Sequence, residues 1–312
     1  MITELLRGRS LLTLLDYGVD EIRYLLDLSR ELKAEKRNGE VHQRLVGKSI
    51  ALLFEKRSTR TRCAFETAVG EEGGHPVFLS TQDIQLGAKE SIEDTARVLG
   101  RMFNAIQFRG FKQSTVELLA RYSGVPVYNG LTDSFHPTQA LADIMTLEEN
   151  FGPPKGKKLC FVGDGRNNVA RSLMIISAKM GIHFTVITPP ALNPDPELAG
   201  LCRPLAAASG AEITITADTG AVKGADAVYT DVWVSMGEEA QREERLRLLR
   251  PFRVDQALMD KTGRGDSIFL HCLPAVKGEE VSPQVIDGPR SRAWDEAENR
   301  KHTIKAVILA TI

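Results

Sequence analysis

Residues 49–74, SIALLFEKRSTRTRCAFETAVGEEGG, decide the fold. SIALLF (49–54) is a short, continuous apolar run, the mark of a buried strand. TRTRCAFETAV then reads as a helix, stopped by Gly73 and Gly74. The join crowds Lys56, Arg57, Arg60 and Arg62 around the hydroxyls of Ser58, Thr59 and Thr61. A helix N-terminus has unpaired backbone N–H groups and a partial positive charge, so it holds phosphate-like anions. Ser58 and Thr59 stand where N-caps stand, and Arg60 adds a planar fork matched to phosphate oxygens. The bland alternative is a capped helix whose arginines pair with Glu55 and Glu66. Arginine at 57, 60 and 62 exceeds what a cap needs. The glycines and lysine of a P-loop are missing from the turn.

Outward from this unit, strands and helices alternate. HPVFLS (75–80), AIQFRG (105–110) and VPVYNGL (125–131) read as strands, separated by helical SIEDTARVLGRM (91–102) and STVELLARYSG (114–124). VDEIRYLLDLSRELKAEKRNG (19–39) precedes them as a helix, and HPTQALADIMTLEENFG (136–152) comes after them as a longer one. GPPKGKK (152–158) has the composition of a linker. The pattern then restarts with strand KLCFVG, turn DGRNN, helix VARSLMIISAKMG and strand HFTVITP. Strands ITITA, AVYTDV and SIFLHCL come next, and AENRKHTIKAVILATI closes the chain as a helix. Two α/β domains with parallel sheets are expected, ligands lying where loops leave the strands' carboxyl ends.

At 312 residues the length suits two domains. Forty Lys+Arg against 41 Asp+Glu leave a net charge of −1, which gives no general field for nucleic acid or an anionic membrane. No apolar run is long enough to span a bilayer, and the N-terminal residues lack a signal peptide's apolar core. Cys63, Cys160, Cys202 and Cys272 are widely spaced, which points to reduced thiols and a cytoplasmic protein.

The second half offers three further stretches. FVGDGRNN (161–168) resembles a dinucleotide-binding turn, but Asn168 stands where the third glycine belongs and no acidic residue ends the next strand. An asparagine pair there suits a small polar ligand. In DSIFLHCLPA (266–275), neighbouring His271 and Cys272 could be a base and nucleophile, yet adjacent residues diverge along a strand. A buried structural thiol is the alternative. In TDVWVSMGEE (230–239), Asp231 could receive a ligand's ammonium or merely start a helix, and His136-Pro137-Thr138-Gln139 carries the same ambiguity. The six histidines lack zinc-ligand spacing.

STRTR, HPTQALAD, DVWVSMGE, HCLPA and ENRKHTIKAV occur in the order and spacing of the aspartate/ornithine carbamoyltransferases, which the chain resembles over essentially its whole length. Relatives acting on aspartate carry HPLPR where HCLPA stands here, so the likeness is to the ornithine branch. The resemblance implies two doubly wound α/β domains joined by two helices. Residues 1–147, with helix 294–312 packed back, would bind carbamoyl phosphate, and 148–293 would bind ornithine. It implies transfer of the carbamoyl group to L-ornithine, giving citrulline and phosphate for arginine biosynthesis, the alternative acceptors being putrescine or acetylornithine. Ser58, Thr59, Arg60 and Thr61 would hold the phosphate. Arg109, His136 and Gln139 would surround the carbamoyl group, Cys272 and Leu273 line the reaction centre, and Arg300 return from the last helix. Arg60, Arg109, His136 and Cys272 would carry the catalysis, Cys272 orienting ornithine rather than attacking. Asn168, Asp231, Ser235 and Met236 would bind ornithine. Gln85 would come from a neighbouring subunit of a homotrimer, or of a multiple of trimers. No metal or organic cofactor is implied. The segment 276–293 is shorter than in many relatives.

Overall fold

A computed structural model of the chain describes residues 2–81, 90–234 and 239–312. Two compact units divide it, Met1–Met145 with Glu298–Ile312, and Thr146–Ala297. The chain leaves the first unit inside one helix, Pro137–Phe151, and returns inside another, Ala293–Thr311. The linker expected at 152–158 lies instead within the second unit. Gly152, at φ +72°, ends the helix, and Gly156 N–H donates to Gly181 O at 2.8 Å as the chain turns into the next strand.

The first long helix of the first unit is α1 (Val19–Arg37), whose N-terminus Glu21 secures by accepting from Gly18 N–H at 2.7 Å. Its sheet comprises β1 (Ser49–Phe54), β2 (His75–Ser80), β3 (Ala105–Arg109) and β4 (Val127–Leu131), all parallel in the order β2-β1-β3-β4. Helices α2 (Thr59–Glu71), α3 (Ile92–Met102) and α4 (Gln113–Ser123) supply the crossovers, and α5 (Pro137–Phe151) comes after β4. Ile50 to Leu53 are fully buried, as a central parallel strand requires. Truncating one of these leucines to alanine should cost about 2–5 kcal/mol.

Opposite the Phe108–Arg109 step, β4 carries Gly130 as an extra residue. A Cβ there would lie 2.5 Å from Gln107 Nε2 and 3.0 Å from Thr61 Cγ2, so glycine alone fits. Such a bulge bends the strand pair and re-aims the side chains beside it, here that of Arg109.

The second unit holds β5 (Lys158–Val162), α6 (Asn168–Met180), β6 (His183–Ile187), α7 (Pro196–Ser209) and β7 (Ile213–Thr216). After these come β8 (Ala227–Tyr229), α8 (Arg242–Leu249), β9 (Ile268–Leu270) and α9 (Ala293–Thr311). Its strands are parallel in the order β7-β6-β5-β8-β9. β8 and β9 are shorter than the sequence pattern predicts. The chain leaves the ladder after Tyr229 and Leu270, which puts Asp231, His271 and Cys272 on loops.

Strand order reverses between β1 and β3 in one sheet and between β5 and β8 in the other. Open α/β sheets bind ligands at such switch points, beyond the strands' carboxyl ends. Those ends carry residues 58–61 and Arg109 in the first unit, and residues 164–168 and Asp231 in the second.

Candidate active site

Ser58 is the N-cap of α2, and its hydroxyl accepts from Thr61 N–H at 3.2 Å. The four cations of this turn separate by environment. Arg62 pairs with Glu66 at 2.9 Å and lies over the Phe78 ring, Lys56 lies over Phe111, and Arg57 is exposed. Pairing with Glu66 therefore accounts for Arg62 alone. Glu55 instead accepts from Phe111 N–H at 3.0 Å. Arg60 is half-buried and lies close enough to His136 to act on its protonation.

Thr61 is fully buried, and its hydroxyl oxygen accepts from Arg109 at 3.0 Å and from Arg300 at 2.9 Å. His136 is buried just ahead of α5. Its pKa is held well below the usual histidine value, first by burial and then by Arg300, Arg109 and Arg60. The imidazole is therefore neutral near pH 7, with one N–H to donate. Gln139, buried one turn on, donates to Asp143 at 2.8 Å, which fixes its amide orientation. Three guanidinium groups and a neutral imidazole around a helix N-terminus can bind a phosphate-like anion.

In the second unit Asp231 is the hub. One carboxylate oxygen accepts from Val232 N–H at 2.8 Å and from the Cys272 thiol at 3.1 Å. The other accepts from Asn167 Nδ2 at 2.9 Å. Asn167 also caps α6, accepting from Val169 N–H at 2.7 Å, while Asn168 begins the helix, half-buried. The sequence offers the two asparagines as a pair, and the family resemblance assigns the ligand to Asn168. Their adjacency at a helix start was visible in the sequence, but the reach to Asp231 was not.

The His271 ring is held by Leu273 and Glu280. Leu273 N–H donates to His271 Nδ1 at 2.8 Å, so Nε2 carries the proton and faces Glu280 at 3.3 Å. Asp231, His271 and Cys272 each bring one possible metal-ligand atom within 4.8 Å of the others. The imidazole, however, has both nitrogens engaged. The Cys272 sulfur lies against the Asp231 carboxylate, an arrangement suited to positioning. Leu273 sits at φ +60°, a left-handed conformation costly for a branched side chain and one that proteins keep mainly at functional sites.

The turn at 163–168 is closed by its own hydrogen bonds. Asp164 accepts from Arg166 N–H at 2.9 Å, which puts a carboxylate in the turn where a dinucleotide fingerprint has none. Gly165 packs under residues 192–194, and a Cβ there would meet Leu192 O at 2.8 Å. Gln85, Ser235 and Met236 lie outside the described residues.

Residues 9–149 match the carbamoyl-P binding domain of aspartate/ornithine carbamoyltransferase, and residues 155–311 match the Asp/Orn binding domain. The chain is 67% identical over 308 residues to an ornithine carbamoyltransferase of Caldanaerobacter subterraneus, 98% of each being covered. It is 53% identical to a catabolic ornithine carbamoyltransferase of Bacillus licheniformis, covering 98% of this chain and 97% of the relative. The solved ornithine carbamoyltransferase of Pyrococcus furiosus aligns with a TM-score of 0.95 at 48% identity, over 98% of this chain and 97% of that one.

Proposed function

The chain belongs to the aspartate/ornithine carbamoyltransferase family, and we propose that it transfers the carbamoyl group of carbamoyl phosphate to the side-chain amine of L-ornithine, releasing citrulline and phosphate. The observation that carries the first half of this reading is the convergence of Arg109 and Arg300 on one buried hydroxyl beside neutral His136. That arrangement concentrates guanidinium groups beside a helix N-terminus, which suits a phosphate-like anion.

In this reading Ser58, Thr59, Arg60, Thr61 and Arg300 hold the phosphate. Arg109 bridges phosphate and carbamoyl oxygen, and His136 and Gln139 hold the carbamoyl group. Attack by the amine makes a tetrahedral intermediate whose oxyanion Arg60, Arg109 and His136 stabilise as preorganised donors. Asn168, Asp231, Ser235 and Met236 receive ornithine, and Cys272 and Leu273 orient its reacting end. Asp231 supplies the negative charge that an amino acid's ammonium needs.

The reacting amine must be neutral. An alkyl ammonium titrates near 10.4, so supplying the free amine at pH 7 costs about 4.6 kcal/mol. The ammonium gives up its first proton to solvent before attack; once the carbon–nitrogen bond has formed, the departing phosphate accepts the second as the carbon–oxygen bond breaks.

The wider setting is proposed with the same reading: a homotrimer in which Gln85 completes a neighbour's site, working in the cytoplasm in arginine biosynthesis. Among the described residues no helix is long and apolar enough to cross a membrane. The deciding experiment supplies carbamoyl phosphate with ornithine, putrescine or acetylornithine in parallel. Citrulline and phosphate should appear one to one with ornithine, and a preference for either other amine would overturn the assignment.

A further inference from the structure

Asp164 and Arg245 form an ion pair inside the second unit, each side chain 5% exposed. Asp164 lies in the turn after β5 that leads to Asn167 and Asn168, and Arg245 lies on α8. Besides pairing with Asp164, Arg245 donates from Nε to Trp233 O at 2.6 Å. Trp233 lies two residues beyond Asp231 and is buried against Leu192, Leu246 and Leu249. One guanidinium thus ties the loop after β8 to the turn after β5.

Stability alone does not account for this arrangement. Burying two charges costs several kcal/mol per ion before their attraction repays it, and apolar replacements of similar volume are often as stable. The pair's contribution is geometry. The two segments it joins carry Asn167 and Asn168 on one side and Asp231 on the other, and Asn167 meets Asp231 at 2.9 Å. A planar fork with one arm on a carboxylate and another on a backbone carbonyl fixes both distance and angle.

We propose that the Asp164–Arg245 pair is a positioning device for the amine substrate, holding Asp231 and the 164–168 turn at the spacing that ornithine requires. Both residues act through others and neither touches the reacting atoms. The inference rests on the ornithine reading above. Sequence reading had no hold on Arg245, because it sits in QREERLRLL among charges that mostly face solvent; Arg242 and Arg247 on the same helix are exposed.

The test compares steady-state kinetics and thermal unfolding of the full chain with three variants: Arg245→Lys, Arg245→Met, and the double variant Asp164→Asn with Arg245→Met. Citrulline formation by the unaltered chain comes first; its failure would sink the function and this role with it. Given that activity, Arg245→Met should raise the KM for ornithine by about tenfold to a hundredfold, the cost of a misplacement near 1 Å, and leave that for carbamoyl phosphate within about twofold. Arg245→Lys keeps a charge for Asp164 but loses the second arm to Trp233, so its ornithine KM should rise as well. The double variant removes both charges and should regain thermal stability relative to Arg245→Met while its ornithine KM stays high. A double variant with both stability and ornithine KM restored would reduce the pair to a structural element and overturn the proposal. So would KM values for both substrates rising together, or an Arg245→Lys variant with unaltered kinetics.

Discussion

Arg300 and Thr61 lie 239 residues apart in the chain, yet the guanidinium of one donates to the hydroxyl of the other at 2.9 Å. Arg109 donates to that same oxygen at 3.0 Å. The hydroxyl accepts from two cations, as an oxygen of a bound phosphate would. Arg300 is buried and Arg109 half-buried, so positive charge is concentrated around this one oxygen. In the proposed function the phosphate dianion is the counterpart of that charge.

Thr61→Val removes the shared acceptor and keeps the shape. The guanidinium groups of Arg109 and Arg300 then each lose one hydrogen bond, worth about 1.5–3 kcal/mol where a charged group takes part. Thermal unfolding should move to lower temperature, and saturating carbamoyl phosphate should recover much of the loss, because a ligand that binds only the native state stabilises it. Equal destabilisation with and without carbamoyl phosphate would contradict a phosphate-binding role for these two arginines.

Cys272→Ser keeps a donor for Asp231, with a shorter reach than the 3.1 Å thiol contact. If Cys272 only orients the amine, activity should fall but stay measurable, with the KM for ornithine rising more than that for carbamoyl phosphate. Mass spectrometry of the unaltered enzyme during turnover should find no carbamoyl adduct on Cys272. Detecting a carbamoyl-thioester would replace positioning by covalent catalysis.

Much of this was legible in the residues, and the limits have physical causes. SIALLF and the hydroxyl-rich turn after it declare a strand and a helix start through local pattern alone, and β1 and α2 form there. The pairing of Gln139 with Asp143 comes from helical spacing of four. Burial, by contrast, is set by the whole fold. Nothing local separates Arg60 from Arg62, though one faces the anion site and the other Glu66. Asn167 and Asp231 are 64 residues apart, and only the adjacency of β5 and β8 brings them together. GPPKGKK has a linker's composition but serves as a turn, because the helix before it already carries the chain between units.

His302 lies fully buried on α9, two residues after Arg300. Neither ring nitrogen has a hydrogen-bond partner among the described residues. Burial, with Lys301, Lys33 and Lys305 nearby, pushes its pKa down from 6.5 to about 3. The folded-state value is depressed, so stability is fully present above pH 6.5 and falls as pH drops from 6.5 towards 3, where the unfolded chain binds the extra proton. The slope from this residue is about 1.4 kcal/mol per pH unit. His302→Gln should flatten the pH dependence of the unfolding free energy from urea titrations between about pH 6 and 4 by that amount. Parallel curves for the two proteins would show that His302 titrates normally.

The amine's ionisation gives a pH prediction for catalysis. With carbamoyl phosphate saturating and ornithine well below its KM, kcat/KM should rise with pH above 7, by close to tenfold per unit while the free amine is scarce. Acid-side loss from His136 protonation lies lower, because its pKa is held below the ordinary histidine range. A flat profile between about pH 6 and 9, with chemistry limiting, would mean that the protein selects the ammonium form and removes its proton by another base.

Gln85 carries the prediction that reaches beyond one chain. The family resemblance assigns it to the site of an adjacent subunit, so an intact site needs Arg60 from one chain and Gln85 from the next around a closed ring. Arg60→Ala removes a phosphate contact and a charge partner of the developing oxyanion together, and should lower turnover at least about a hundredfold. Gln85→Ala should also be weak on its own. Refolding the two inactive chains together in equal amounts mixes them within the ring. A site is then whole only if its own chain carries intact Arg60 and its neighbour carries intact Gln85, each at even odds. About one quarter of sites should work, so the mixture should recover about a quarter of the unaltered activity. Size-exclusion chromatography with mass spectrometry checks that mixed rings have formed. Mixed rings with no activity above that of the parents would place Gln85 in its own subunit's site and remove the shared-site arrangement.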